Sequence, residues 1–206
     1  IWLDYTGDEH YDRSTVRDES GDGSWTETLQ IFGAGYNLKY SGTTWGSADG
    51  RTITTDTDLD GDGRRDRQVV DYVDFNRDQR TTWRDYNLDG TLKAQITSLA
   101  SANGMVSSYT FEIDGVGGTK FERETSRSFA ADGSLIETFS ETYGTDTLAY
   151  QQTTTTAADG LSSTRTFDVN GDGIVDGTNT RQTTLNADGS TQNTDVTYYA
   201  DGSLRW

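Results

Sequence analysis

Apolar and polar residues alternate along much of this chain in short stretches. Tyr109, Phe111 and Ile113 form one such set, and Val196 and Tyr198 another. Alternation with a period of two is the mark of a strand with one face turned away from water. The stretches are rich in Thr, Tyr, Phe, Val and Ile, which suit a pleated surface. No segment carries a convincing 3.6-residue apolar period, so no helix is expected. Turn signals cut the strands apart every 11 to 18 residues: Asp22-Gly23, Asp49-Gly50, Asp89-Gly90, Asn103-Gly104, Asp132-Gly133, Asp188-Gly189 and others. Such pairs suit type I′ hairpin turns, in which both central residues take positive φ. The pattern predicts an all-β chain, an antiparallel meander of stacked β-hairpins with about four strands per ~55-residue unit. A four-bladed β-propeller-like closure is the alternative, since a blade also holds four short strands.

An internal repeat organises these strands. Shifted by 110 residues, the chain aligns with itself without a gap over its first 80 or so residues. DGSWTET at 22–28 falls on DGSLIET at 132–138, and DLDGDGRRD at 58–66 falls on DVNGDGIVD at 168–176. Asn76 and Asp78 fall on Asn186 and Asp188. Residues 1–110 and 111–206 therefore read as a tandem duplication. Each half divides again, because Asp4, Asp58, Asp114 and Asp168 are separated by 54, 56 and 54 residues. The whole of 1–206 reads as one repeat array with units at approximately 4–57, 58–113, 114–167 and 168–206.

Composition narrows what holds such an array together. Only 31% of the 206 residues are hydrophobic, too few for a thick core, yet the 5 Trp, 11 Tyr and 7 Phe are more than a disordered chain carries. There is no Cys and no Pro, so disulfides and thiolate metal sites are excluded. The 34 acids against 17 Lys and Arg give a formal net charge of −17. That balance argues against nucleic acid, which needs clustered cations. It disfavours an anionic membrane surface too, and no apolar run is long enough for membrane insertion as a helix. The chain opens at Ile1 without a signal-peptide pattern and reads as a piece of something longer.

The acids are spaced for metal. Asp58-x-Asp60-x-Asp62-Gly63-x-x-Asp66 and its copy Asp168-x-Asn170-x-Asp172-Gly173-x-x-Asp176 present oxygens at positions one, three and five. Position seven offers a backbone carbonyl, from Arg64 or Ile174, and the carboxylate at position nine closes the shell. Alternating hard oxygens in a flexible loop suit Ca²⁺ rather than the tighter octahedron of Mg²⁺. A third loop carries Asp4, Thr6, Asp8 and Asp12, with His10 at the carbonyl position and Glu9 where the Gly would stand. In the third unit, Val116 and Lys120 replace ligands, and that site reads as lost. Asp74-x-Asn76-x-Asp78, which Asp85 could close, and Asp85-x-Asn87-x-Asp89 share the spacing in weaker form.

These loops resemble the calcium motifs of FG-GAP/VCBS-type repeats and of dockerin-like loops. The Thr-rich strands punctuated by NADGS, AADGS and DVNGDGIVDGTNT are similar to repeat arrays of large secreted RTX-type calcium-binding proteins of bacteria, although the G-G-x-G-x-D nonapeptide of that group is absent. The resemblance implies a secreted, extracellular or bacterial cell-surface location and adhesin-like or structural roles.

Three function classes follow. The first is an extracellular calcium-binding structural or adhesive repeat module, folded and stiffened by Ca²⁺. It could self-associate through open sheet edges, which no proline blocks, or through uncapped repeat ends, into filaments. The second is a calcium-dependent glycan-binding module, with Trp2, Trp25, Trp45, Trp83, Tyr36 and Tyr40 available to stack on sugars. The third, a polysaccharide-active enzyme, would need two carboxylates facing across a cleft. The acids follow turn and metal spacing instead, and lone His10 has no nucleophile constellation, so no catalytic residues are expected.

Overall fold

A computed structural model describes residues 1–5, 7, 11–113, 120–144 and 146–205. The chain is all-β: it forms fifteen strands, with no helix among the described residues. It divides into two compact units, one of residues 1–102 with 110–118, the other of residues 103–109 with 119–206. The first holds β1 (Trp2–Leu3), β2 (Arg13–Glu19), β3 (Trp25–Gly33), β4 (Asn37–Gly46), β5 (Thr52–Asp58), β6 (Arg67–Val73), β7 (Gln79–Tyr86) and β8 (Leu92–Ala100). β9 (Val106–Ile113) is shared by the two. The second holds β10 (Lys120–Phe129), β11 (Leu135–Tyr143), β12 (Thr147–Thr156), β13 (Ser162–Asp168), β14 (Gly177–Leu185) and β15 (Thr191–Tyr199).

Within each unit the strand order is the chain order, and every pair is antiparallel. β1 to β8 run on without dividing into separate four-stranded sheets. That continuity corrects the propeller alternative in favour of the open meander. Blades would also need apolar faces to stack, and these sheets do not have them.

No hydrophobic side chain among the described residues is buried. Apart from Gly42, Gly46 and Gly177, the buried residues are polar: Ser14, Thr57, Asp58, Thr82, Ser134 and Asp168. The sheets hold instead through neighbouring side chains on each face, worth roughly 0.2–1 kcal/mol per cross-strand pair. A polar chain crosses one face of the first unit. Gln68 Nε2 donates to Asp56 Oδ1 at 2.9 Å, Arg84 Nη1 to Gln68 Oε1 at 2.9 Å, and Arg84 Nε to Gln95 Oε1 at 2.7 Å. On the opposite face Arg17 stacks 4.3 Å over the Trp25 ring, and Trp25 in turn lies where a side chain at Gly46 would stand.

Three register shifts recur at matching places, at Ile31/Phe32, Asp85/Tyr86 and Glu141/Thr142. The gapless alignment fails at one point. β6 ends at Val73, whereas β14 runs on to Leu185, so its turn arrives two residues late. Asp188 is the central Asp of its turn, whereas Asn76 fills that role in the first half and Asp78 closes it.

The turns differ from the type I′ expectation. In the β2–β3 hairpin Gly23 N donates to Ser20 O at 3.0 Å and Ser20 N to Ser24 O at 2.7 Å. Asp22 is not among the positive-φ residues, while Gly23 has φ 90°. This is a type I turn followed by one left-handed residue, the three-residue hairpin loop. Asp22 Oδ1 accepts from both the N–H and the hydroxyl of Ser24, which fixes the Asp in the turn conformation. Asp89 with Thr91, Asp132 with Ser134, and Asp188 with Ser190 repeat the arrangement. In the β6–β7 turn Arg77 occupies the left-handed position, at φ 69°.

Candidate metal loops

Each candidate loop is the connection between two strands, entered at its first Asp. Asp58 is the last residue of β5, paired with Ser41, and Asp168 is the last of β13, paired with Gln151. A strand end followed by glycines at positions four and six lets the backbone curl back over the Asp side chain. Asp58 Oδ1 accepts from Gly61 N at 2.6 Å and Oδ2 from Gly63 N at 2.8 Å. Asp168 accepts from Gly171 and Gly173 at the same distances. Asp66 Oδ2 reaches back to Leu59 N at 2.7 Å, as Asp176 Oδ2 does to Val169 N. The loop is then closed by Asp66 N donating to Thr57 O at 2.9 Å, and by Asp176 N donating to Phe167 O at 2.8 Å.

This wrapping brings carboxylates together. Asp58, Asp60 and Asp66 each present an oxygen, and the three lie within 4.8 Å of one another. Such a group could hold a metal ion. Asp58 is only 5% exposed, Asp66 is half-buried and Asp60 is exposed, so the group opens on one side to water. Asp62 stands outside this group, and its Oδ1 accepts from Arg64 N at 2.8 Å. In the second loop Asn170 stands in place of Asp60, with its Nδ2 donating to Asp172 Oδ2 at 3.2 Å. Burial opposes ionisation of Asp168, but N–H donors from Gly173, Gly171, Asn170 and Asp172 outweigh it and hold its carboxyl below 3.8. Ile174, at position seven, has an exposed side chain.

Thr6, Asp8 and His10 of the first loop lie outside the described residues. The rest of that loop follows the other two. Gly7 N donates to Asp4 Oδ1 at 2.6 Å, Tyr5 N to Asp12 Oδ2 at 2.6 Å, and Asp12 N to Leu3 O at 2.9 Å. Of the third unit's counterpart, Asp114, Val116 and Gly118 also lie outside the described residues, while Lys120 pairs with Glu122 at 3.2 Å.

The position-four glycine was missed in reading the sequence for ligands. Gly7, Gly61 and Gly171 each stand three residues after the first Asp, and all take positive φ, 72°, 82° and 73°. Their common spacing was the available signal. The weaker motifs part company with the metal loops. Asp85 is held by Arg67, with Nε to Oδ1 at 2.7 Å and Nη2 to Oδ2 at 3.2 Å. Asp74 Oδ1 serves its own turn, accepting from Asn76 N and Asp78 N.

Comparison with protein families and with curated proteins finds no match to this chain.

Proposed function

We propose that this chain is an extracellular calcium-binding structural or adhesive repeat module, without catalytic function, whose loops 4–12, 58–66 and 168–176 bind Ca²⁺. The observation that carries this reading is the convergence of Asp58, Asp60 and Asp66 within 4.8 Å at the end of a strand. Three like charges so close repel each other, and a hard cation ligated by oxygen relieves that repulsion. Each loop clips two adjacent strands, so an ion bound there stiffens the hairpin it closes. With no buried hydrophobic side chain among the described residues, the sheets draw on such clips more than an ordinary domain would. A ligand that binds only the folded form adds to its stability by mass action. Extracellular calcium, at the ~10⁻⁴–10⁻³ M affinities usual for such modules, would complete folding after export.

The test is thermal unfolding by far-UV circular dichroism in EDTA and in millimolar Ca²⁺, with calorimetric titration of Ca²⁺ into the chelated protein. A melting midpoint that rises with Ca²⁺, and saturable binding lost when Asp4→Ala, Asp58→Ala and Asp168→Ala are combined, is expected. Identical melts with and without Ca²⁺ and no binding heat reject the proposal.

A further inference from the structure

The second unit carries six basic residues, and they divide cleanly. Lys120 pairs with Glu122 and Asp146, Arg123 with Glu141, and Arg127 with Glu137. The other three, Arg165, Arg181 and Arg205, have no ion pair among the described residues, and all three line a single open cleft with Tyr150, Phe167 and Asp195.

The register explains why they meet. Ser163, Arg165 and Phe167 alternate on β13 and so share a face. Across on β14, Asn179 lies opposite Arg165, Arg181 opposite Ser163 and Gly177 opposite Phe167. Arg165 and Arg181 are thus diagonal neighbours, roughly 7–8 Å apart at the backbone. Gly177 leaves room for the Phe167 ring to lie down on the strand, since a Cβ there would stand 2.5 Å from Phe167 Cε2. The lone acid, Asp195, is engaged by Asn179 Nδ2, which also donates to Thr197 Oγ1 at 3.0 Å. Three guanidinium groups against one carboxylate leave the cleft cationic in a chain of net charge −17.

This cleft is not a by-product of the duplication. At the corresponding places on β5 and β6 stand Thr55 for Arg165, Thr57 for Phe167, Val69 for Asn179 and Asp71 for Arg181. The basic set belongs to the second unit alone.

We infer that this face of β12 to β15 binds an anionic saccharide. Planar guanidinium forks match carboxylate or sulfate groups bidentately. The Tyr150 and Phe167 rings offer apolar surface to the face of a sugar ring, and the surrounding amide and hydroxyl groups, including Gln152, suit sugar hydroxyls. An acidic loop of a second copy of the chain would satisfy the arginines but would leave the ring-and-amide part of the cleft unused. The inference does not depend on calcium binding, since none of these residues belongs to a metal loop.

The test is calorimetric titration of the whole chain, in millimolar Ca²⁺, with three probes: a hyaluronate decasaccharide, a chondroitin sulfate decasaccharide and a neutral dextran oligosaccharide. At least one anionic probe should bind and the neutral one should not, with affinity falling as NaCl rises. Arg165→Gln with Arg181→Gln should weaken binding by about ten-fold or more per arginine, the scale of ~1.5–3 kcal/mol for a charged hydrogen bond. Arg123→Gln, outside the cleft, should leave binding unchanged. All three arginines are exposed, and melting curves check that the variants fold. Failure of both anionic probes to bind, or equal binding by the double variant, overturns the inference. So does self-association of the wild type that the double variant abolishes in the absence of saccharide binding, which would assign the cleft to a protein partner.

Discussion

The Cα of Gly61 faces the carbonyl oxygen of Leu38 so closely that a Cβ on Gly61 would stand 2.1 Å from it. Gly171 repeats the relationship with Leu148 O, at 1.9 Å. The metal loop is therefore seated on the backbone at the start of β4, or of β12, and only glycine permits the seat. Gly63 has the same left-handed φ but nothing within 4 Å of where its Cβ would be. Gly63→Ala should cost only the left-handed strain, about 1–2 kcal/mol. Gly61→Ala adds a clash with backbone that cannot step aside, and should cost more than about 3 kcal/mol. Urea unfolding of the two variants compares them directly. Equal losses would mean that the loop is not seated against Leu38.

The side-chain ligand positions of the two described metal loops differ by one carboxylate, Asp60 against Asn170. Affinity in oxygen-ligated loops depends on ligand charge. Loop 58–66 is therefore expected to bind Ca²⁺ the more tightly. Asn170→Asp should tighten the weaker site and Asp60→Asn weaken the stronger one, each by about ten-fold, or ~1.4 kcal/mol. Calcium titrations of single-site proteins, with loop 4–12 disabled by Asp4→Ala and the other loop by Asp58→Ala or Asp168→Ala, give the two constants. Changes in the opposite sense would show that positions 60 and 170 are not ligands.

Acid should loosen the turns before it disturbs the strands. The Ser24 hydroxyl, and then its N–H, hold the Asp22 carboxyl below 3.8, and Ser190 and Ser203 do the same for Asp188 and Asp201. A carboxyl whose value is lowered by folding stabilises the fold above its unfolded value and loses that contribution as pH falls through the folded one. In EDTA, the melting temperature should hold steady at neutral and mildly acidic pH and fall once pH drops below 3.8. Ser24→Ala should move the Asp22 titration back toward 3.8, read by carboxyl NMR. An unchanged Asp22 titration would remove the hydroxyl from the explanation.

Arg77 takes φ 69° where the Asp-Gly hairpins place glycine at 23, 90, 133 and 189. A non-glycine residue there carries strain of about 1–2 kcal/mol. Arg77→Gly should relieve it, less what glycine's extra freedom costs in the unfolded chain. A net gain of about 0.5–1 kcal/mol is expected, read as a higher urea midpoint with an unchanged slope. A loss of stability would show that the Arg77 side chain contributes more than its backbone costs.

Much of this could be read from the chain beforehand. Alternation in segments such as Tyr109 to Ile113, and the Asp-Gly punctuation, were enough for strands, turns and a meander. The spacing of Asp58, Asp60 and Asp66 was enough to bring them to one point. What stayed hidden depends on neighbours distant in sequence. Gly61 looks like filler until Leu38 is placed beneath it. Asp85 fits a ligand pattern until Arg67 is found opposite it on β6. Asp78 aligns with Asp188 only while the two extra residues of β14 go unseen. The arginines at 165, 181 and 205 carry no motif. They become a group only when β13 and β14 are set in register.

The lack of a buried hydrophobic side chain among the described residues reaches beyond packing. Unfolding a typical domain raises the heat capacity by about 12–15 cal/mol/K per residue, because it wets apolar surface that was dry. Here part of that surface is wet already, so the increment per residue should be smaller. A small increment flattens the curve of stability against temperature. Cooling would then weaken these sheets little, and warming would melt them over a broad range, with calorimetry recording a shallow step in heat capacity between folded and unfolded baselines.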